Sequence, residues 1–167
     1  GDDSKMTVHD MAGGLARING TGLRPILKPV YLRDDRGRPE RDNPIEIDAK
    51  TGQLSLMNQQ PTRGAHPCHL VIDKSGKTVL VANYTGGSVA SLPIAKDGRL
   101  APAVSFIQHT GSSVLGRQQG PHAHSINLDD QNRYAVVADL GLDQVLVYQF
   151  DSGTGRLTAN TPPSTGM

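Results

Sequence analysis

The sequence predicts an all-β chain built of four-stranded antiparallel sheets, and three observations carry that expectation. A turn signature recurs as DAKTGQL (48–54), AKDGRL (95–100) and DSGTGRL (151–157). Its period of about 50 residues is that of a propeller blade. Ahead of the second and third signatures lie short apolar stretches separated by Gly, Asp, Asn and Lys turns, four strands to a unit. Val79-Leu80-Val81-Ala82 and Ala135-Val136-Val137-Ala138 are apolar at successive positions. Strands of that kind bury both faces, as the middle strands of a blade do between neighbouring blades, whereas a sandwich strand alternates. The chain is thus read as about two and a half propeller blades: a half blade over 44–60, a blade over 68–108 and a blade over 121–160.

Taken in order, residues 1–43 read as irregular. Gly13-Gly14, Gly20 and Gly22 interrupt any helix, Arg33 to Asp42 is a polar mixed-charge run, and Ile26 to Tyr31 supports at most one strand. Strand patterning begins at Pro44. Ile45-Glu46-Ile47 alternates, residues 48–52 form a turn and Gln53–Gln60 returns, which is a hairpin. Pro61 to Pro67 is a loop. Strands are then expected at Cys68–Ile72, Thr78–Ala82, Ser88–Ile94 and Leu100–Gln108, and again at His124–Leu128, Tyr134–Ala138, Gln144–Phe150 and Leu157–Asn160. Residues 164–167 are left as a tail.

Bulk composition narrows the function classes. The 167 residues carry 17 Lys+Arg against 16 Asp+Glu, a net charge of +1, so no basic field invites nucleic acid. Aromatics make up 4% with no Trp, too few for a base-stacking surface. Cys68 is the single cysteine, which excludes an internal disulfide and fits a reducing compartment, here read as the cytoplasm. Its neighbour His69 points to the opposite face of a strand, so the two make a poor catalytic pair. No apolar run approaches the roughly 18 residues of a membrane span, and the polar N-terminus lacks the pattern of a signal peptide.

The stretch Gly120–Asp143, GPHAHSINLDDQNRYAVVADLGLD, holds the candidate chemistry. Imidazoles titrate near neutral pH, so His122 and His124 can move protons or bind a metal. Asp139 and Asp143 flank the end of the apolar run, where side chains emerge from a sheet. The competing readings are structural: histidines that only begin a strand, aspartates that cap a turn, Asn83 as a corner residue and Arg117 as a solvated loop charge. A divalent ion on His-x-His with a nearby Asp is a second option. Calcium, however, prefers oxygen ligands and the cluster has few, so neither metal nor cofactor is assigned.

Residues 44–163 resemble the bacterial propeller-type 6-phosphogluconolactonase family. The resemblance rests on the Pro-His-x-His, Asp-Leu-Gly-x-Asp and Asn-Tyr-x-x-Gly-Ser-Val segments in this spacing. It implies a seven-bladed propeller hydrolysing 6-phosphogluconolactone, or a related sugar lactone, in the pentose phosphate pathway. Carried onto this sequence, it makes His124 the general base or carbonyl-polarising group; His122, two residues before it and so on the same strand face, can orient water or bind the substrate. The resemblance gives Arg117 a phosphate or carbonyl oxygen to bind; by their places at strand ends and corners, Asp139 can orient a histidine, and Asn83 and Asp143 can contact the substrate. His69 is taken as the counterpart of His124 in the preceding blade, with a packing role, and His9, His66 and His109 receive none. A family member is about twice this length, and residues 1–43 do not look like its first blades. The expectation is therefore a partial gene product, with a frameshift ahead of residue 44, whose open blade edges can self-associate. The alternatives are a non-catalytic interaction propeller and a fragment inactive by itself.

Overall fold

The computed structural model describes residues 53–166 continuously, together with Ile26–Leu27, Arg41–Asp42, Ile45–Ile47 and Thr51. Thirteen strands follow one another among these residues, with no helix between them. β1 (Ile26–Leu27), β3 (Ile45–Ile47) and β4 (Leu54–Leu56) form a three-stranded sheet, and β2 (Arg41–Asp42) pairs with β5 (Gln60–Pro61). The expected hairpin is the β3–β4 pair, with Ile45 opposite Leu56.

Two complete four-stranded antiparallel sheets come next, each in simple sequential order. The first is β6 (Pro67–Ile72), β7 (Thr78–Asn83), β8 (Ser88–Pro93) and β9 (Ser105–Gln108). The second is β10 (Ala123–Leu128), β11 (Tyr134–Asp139), β12 (Gln144–Asp151) and β13 (Arg156–Gly166). These are the meandering sheets of propeller blades, and the chain is a partial β-propeller.

Matching residues make matching turns in the two blades. Asp73 Oδ1 accepts the backbone N–H groups of Lys77 and Thr78, both at 2.8 Å. Asp129 Oδ1 accepts those of Arg133 and Tyr134, at 2.5 and 2.8 Å. The left-handed residue of each turn is Gly76 (φ 71°) or Asn132 (φ 60°), the two residue types that tolerate that conformation best. The Asp-x-x-Gly/Asn pattern is therefore what turns the first strand of each blade into the second.

The blades pack face to face. One core cluster joins Leu80, Ala82 and Val89 of the first blade to Ile126, Val137, Tyr148 and Phe150 of the second. A second cluster (Leu70, Val79, Val81, Ala90, Leu92, Leu100) fills the opposite face of the first blade. On that side Asn58 exchanges two hydrogen bonds with the backbone of Leu100, at 2.8 and 3.0 Å. β7 is accordingly buried along its whole length, as its unbroken apolar run predicts. β11 differs. Val137 is fully buried but Val136 is 37% exposed, because no described residue covers the far face of the second blade.

Polar groups cross the same interface. Asn132 ties to Asp73 Oδ2 (3.0 Å) and to the backbone N–H of Lys74 (3.1 Å). Ser91 Oγ donates to Gly155 O (2.6 Å), and Ser105 Oγ accepts the N–H of Leu157 (3.0 Å).

Three sequence expectations are corrected. The strand placed at Leu100–Gln108 begins only at Ser105, and Leu100 makes a lone bridge to Ile94. Pro102, lacking an N–H, interrupts the ladder between them. The last strand runs beyond Asn160 to Gly166, absorbing Ser164 to Gly166 of the supposed tail. It pairs with β12 in two stretches, with an irregularity between Leu146 and Tyr148. Pro162 and Pro163 are tolerated there because β13 is the outermost strand of its sheet. The repeat alignment also shifts. Pro67 pairs with Asn83 and His69 with Ala82, leaving Cys68 bulged, while Ala123 pairs with Asp139 and Ser125 with Ala138, leaving His124 bulged. The counterpart of His124 is thus Cys68, not His69, and the counterpart of His122 is His66. His69 nonetheless packs as expected, its Nδ1 accepting the N–H of Ile126 across the interface (3.2 Å).

Candidate active site

The candidate site forms where the corner after β7, the connection 109–122 and the corner after β11 meet. His122 lies just before β10. Its backbone N–H donates to Asp139 Oδ1 (2.7 Å) and its carbonyl accepts the N–H of Leu140 (3.0 Å). Those two bonds hold residue 122 against the corner of β11. Gly141 makes the approach possible: a Cβ there would lie 1.8 Å from Gly120 O and 2.8 Å from His122 N.

The His122 ring stacks on Tyr84, with centroids 4.7 Å apart and planes 17° from parallel. His122 Nδ1 lies 3.2 Å from the carbonyl oxygen of Tyr84. A carbonyl only accepts, so this contact requires the proton on Nδ1, and in the neutral ring the lone pair is then on Nε2. The exposed His124 meets the same tyrosine edge-on, at 5.6 Å and 88°. Tyr84 therefore brings both histidines to one side of the blade. Sequence reasoning quoted the Asn-Tyr-x-x-Gly-Ser-Val segment but assigned Tyr84 no role. An aromatic residue at a corner whose counterpart is Leu140 was the available signal.

The other nominated residues separate. Asp139 is fully buried, so it touches no substrate. Its Oδ1 also accepts the N–H groups of Gly141 (2.9 Å) and Leu142 (3.1 Å), and its Oδ2 lies 2.5 Å from His109 Nδ1. Burial pushes its carboxyl upward, but these hydrogen bonds, led by that of His109, outweigh it and hold the group below the usual carboxylate range. Asp139 does meet a histidine ring, but that ring is His109, to which the sequence assigned nothing. His109 Nε2 lies 2.9 Å from the hydroxyl of Tyr148. Burial, then the charge of Asp139, pushes the Tyr148 phenol up to about 12.

Asn83, expected to contact substrate, is also fully buried. Its Nδ2 donates to Ser88 Oγ (3.1 Å), while its Oδ1 has no hydrogen-bond partner among the described residues. Asp143 is exposed with φ 57°, at the position where the first blade has Gly87 with φ 56°. The turn reading accounts for it. Arg117 is exposed on the connection, next to the buried Gln118. Gln118 pins that loop by donating to Leu140 O (3.0 Å) and accepting the N–H of Leu115 (3.0 Å). No hydrogen bond or ion pair joins Arg117 to the histidine pair among the described residues.

Cys68 is held between the blades, its sulfur 3.4 Å from the carbonyl oxygens of both Ala123 and His124. Burial pushes its thiol up to about 11, which suits packing rather than nucleophilic attack. Among the described residues no three His, Cys, Asp or Glu side chains converge as metal ligands, and no helix is long and apolar enough to cross a membrane.

The two blades and this corner define a propeller of known type. Residues 30–166 match the family model described as a seven-bladed β-propeller lactonase, and the chain belongs to that family. The match takes in residues 30–43, which the sequence reading left outside the propeller. The chain is 37% identical over 108 residues to a 6-phosphogluconolactonase of Bacillus subtilis strain 168, covering 65% of this chain and 31% of that one. It is 38% identical over 100 residues to a 6-phosphogluconolactonase of Formosa agariphila, covering 59% and 28%. It thus spans less than a third of the length of these curated relatives. Among solved structures, a Bacteroides fragilis protein described as a proposed 6-phosphogluconolactonase matches with TM-score 0.70 at 31% identity, over 86% of this chain and 40% of that one. The periplasmic gluconolactonase of Pseudomonas aeruginosa matches with TM-score 0.70 at 32% identity, over 77% and 37%.

Proposed function

We propose that this chain is part of a lactone hydrolase that opens 6-phosphogluconolactone to 6-phosphogluconate, an activity of the pentose phosphate pathway. The observation that carries this reading is the His122–His124 pair on Tyr84, with His122 Nδ1 engaged by the Tyr84 carbonyl. The curated relatives bearing the enzyme's name, and the gluconolactonase among the structural neighbours, support the substrate class.

In this mechanism Nε2 of His122 takes a proton from water as the water oxygen attacks the lactone carbonyl carbon. The ring C–O bond then breaks, and the proton passes to the departing alkoxide. His124, beside it, hydrogen-bonds the developing oxyanion. The fixed tautomer makes His122 the better base, which reverses the roles the family resemblance suggested. Arg117 is the group on this chain suited to the substrate phosphate, since a guanidinium grips oxyanions by two points. No metal enters these steps. The cytoplasmic assignment belongs to this proposal and rests on the single cysteine, although the Pseudomonas aeruginosa neighbour is periplasmic.

The test is hydrolysis of freshly prepared 6-phosphogluconolactone, followed by acid release in a pH-stat. Replacing His122 by Ala is expected to lower kcat about a hundredfold or more, the scale of general-base catalysis. Unchanged kcat in a His122→Ala/His124→Ala double variant overturns the reading.

A further inference from the structure

The corner after β11 contains more buried polar machinery than its fold requires. His109 and Asp139 have side chains 1% and 0% exposed. The buried hydroxyl of Tyr148 completes a three-member chain across the blade interface. A single arrangement of protons satisfies every member. The Tyr148 O–H donates to His109 Nε2, and the His109 Nδ1–H donates to Asp139 Oδ2. Asp139 Oδ1 is left to receive the N–H groups of His122, Gly141 and Leu142.

The first blade builds the same corner without this chain. There the equivalent residue is the neutral Asn83, whose side chain bonds only Ser88 among the described residues, and the backbone tie from Tyr84 N to His66 O (2.8 Å) forms all the same. A blade corner therefore needs neither a buried carboxylate nor an imidazole bonded to it. Burying a charge with its partner is at best weak support for stability. The addition occurs at the corner that holds His122, the residue before β10, which carries His124.

We propose that His109 is a positioning residue for the catalytic histidines, acting through Asp139. By clamping Oδ2, it aims Oδ1 at the amide of residue 122. That sets the main chain entering β10 and seats the His122 ring on Tyr84. Tyr148 orients His109 from the other side. His109 is sealed from solvent and touches no substrate itself. The catalytic half of this inference rests on the proposed lactonase activity, and the geometric half does not.

The full chain, labelled with 15N at its histidine rings, gives a readout independent of activity. In His109→Leu the ring signals of His122 are expected to move. Lactone hydrolysis should lose about ten- to a hundredfold in kcat, with KM changed less than twofold, as befits a displaced catalytic group. His109→Asn places an N–H donor near the Nδ1 position and should restore most of kcat and the His122 signals. A purely structural role predicts a loss of thermal stability with no such rescue. Should His109→Leu fail to fold, Tyr148→Phe, which removes a single hydroxyl from the same chain, is expected to move the His122 signals in the same sense. Unmoved His122 signals in a folded His109→Leu or, failing that, Tyr148→Phe protein overturn the inference. Moved signals in a protein that never hydrolyses the lactone leave the positioning intact and overturn the lactonase reading instead.

Discussion

Asp139 shows how much one side chain can decide. Its buried carboxylate receives three backbone N–H groups and one imidazole. In Asp139→Asn the amide nitrogen must face either the backbone donors or the His109 N–H, so two donors oppose each other. The expected cost is about 3 kcal/mol or more, the scale for breaking a buried charged pair, read by urea unfolding. The pH dependence has a definite sign. The folded carboxyl titrates below its ordinary value, so its stabilisation is fully present above the unfolded pKa of about 3.9. That stabilisation is lost as the pH falls through the folded pKa. Thermal midpoints measured on acidification below about pH 4 should therefore fall faster for the native protein than for Asp139→Asn. At Cys68, burial that raises the thiol to about 11 predicts slow reaction with a disulfide reagent at pH 8 in the native state and full reaction in denaturant. The chemistry-bearing types in Gly120–Asp143 were legible in the sequence, but the burial of Asp139 and Asn83 was not. A polar residue at the end of a strand reads the same whether it faces solvent or a neighbouring blade.

At the scale of elements, the turns were the most legible feature. Asp73 with Gly76 and Asp129 with Asn132 write the first hairpin of each blade in local chemistry alone. Strand ends were less so, because Pro102 and the prolines of β13 act only through the pairing they meet. Gly141 is the element-level constraint on the site, since a side chain there collides with Gly120 and His122. Gly141→Ala should force the connection away from the corner, at a cost on the order of 2 kcal/mol for overpacking. Hydrolysis should fall with it. A thermal melt and an activity assay on the same preparation check both.

Across the whole molecule, the first blade is covered on both faces and the second on one. Val136 is 37% exposed, and Val145 and Val147 on the adjoining strand share its face and are half-buried. This apolar face suits another blade, and in the isolated chain a second copy can occupy it. Light scattering is expected to show self-association of the purified chain, reduced by Val136→Lys with Val147→Lys. A monodisperse monomer of the unmodified chain refutes this.

The sequence by itself determined the blade repeat, the hairpin turns, the all-β class and the family, because each is written in short-range patterns of turn residues and apolar runs. Only the tertiary structure decided which polar residues meet. Tyr84, His109 and Tyr148 come from three separate segments, and their contacts with His122, His124 and Asp139 exist only once two blades are packed face to face. The bulges at Cys68 and His124 belong with them, since the register of a strand against its neighbour is set by side chains distant in the chain.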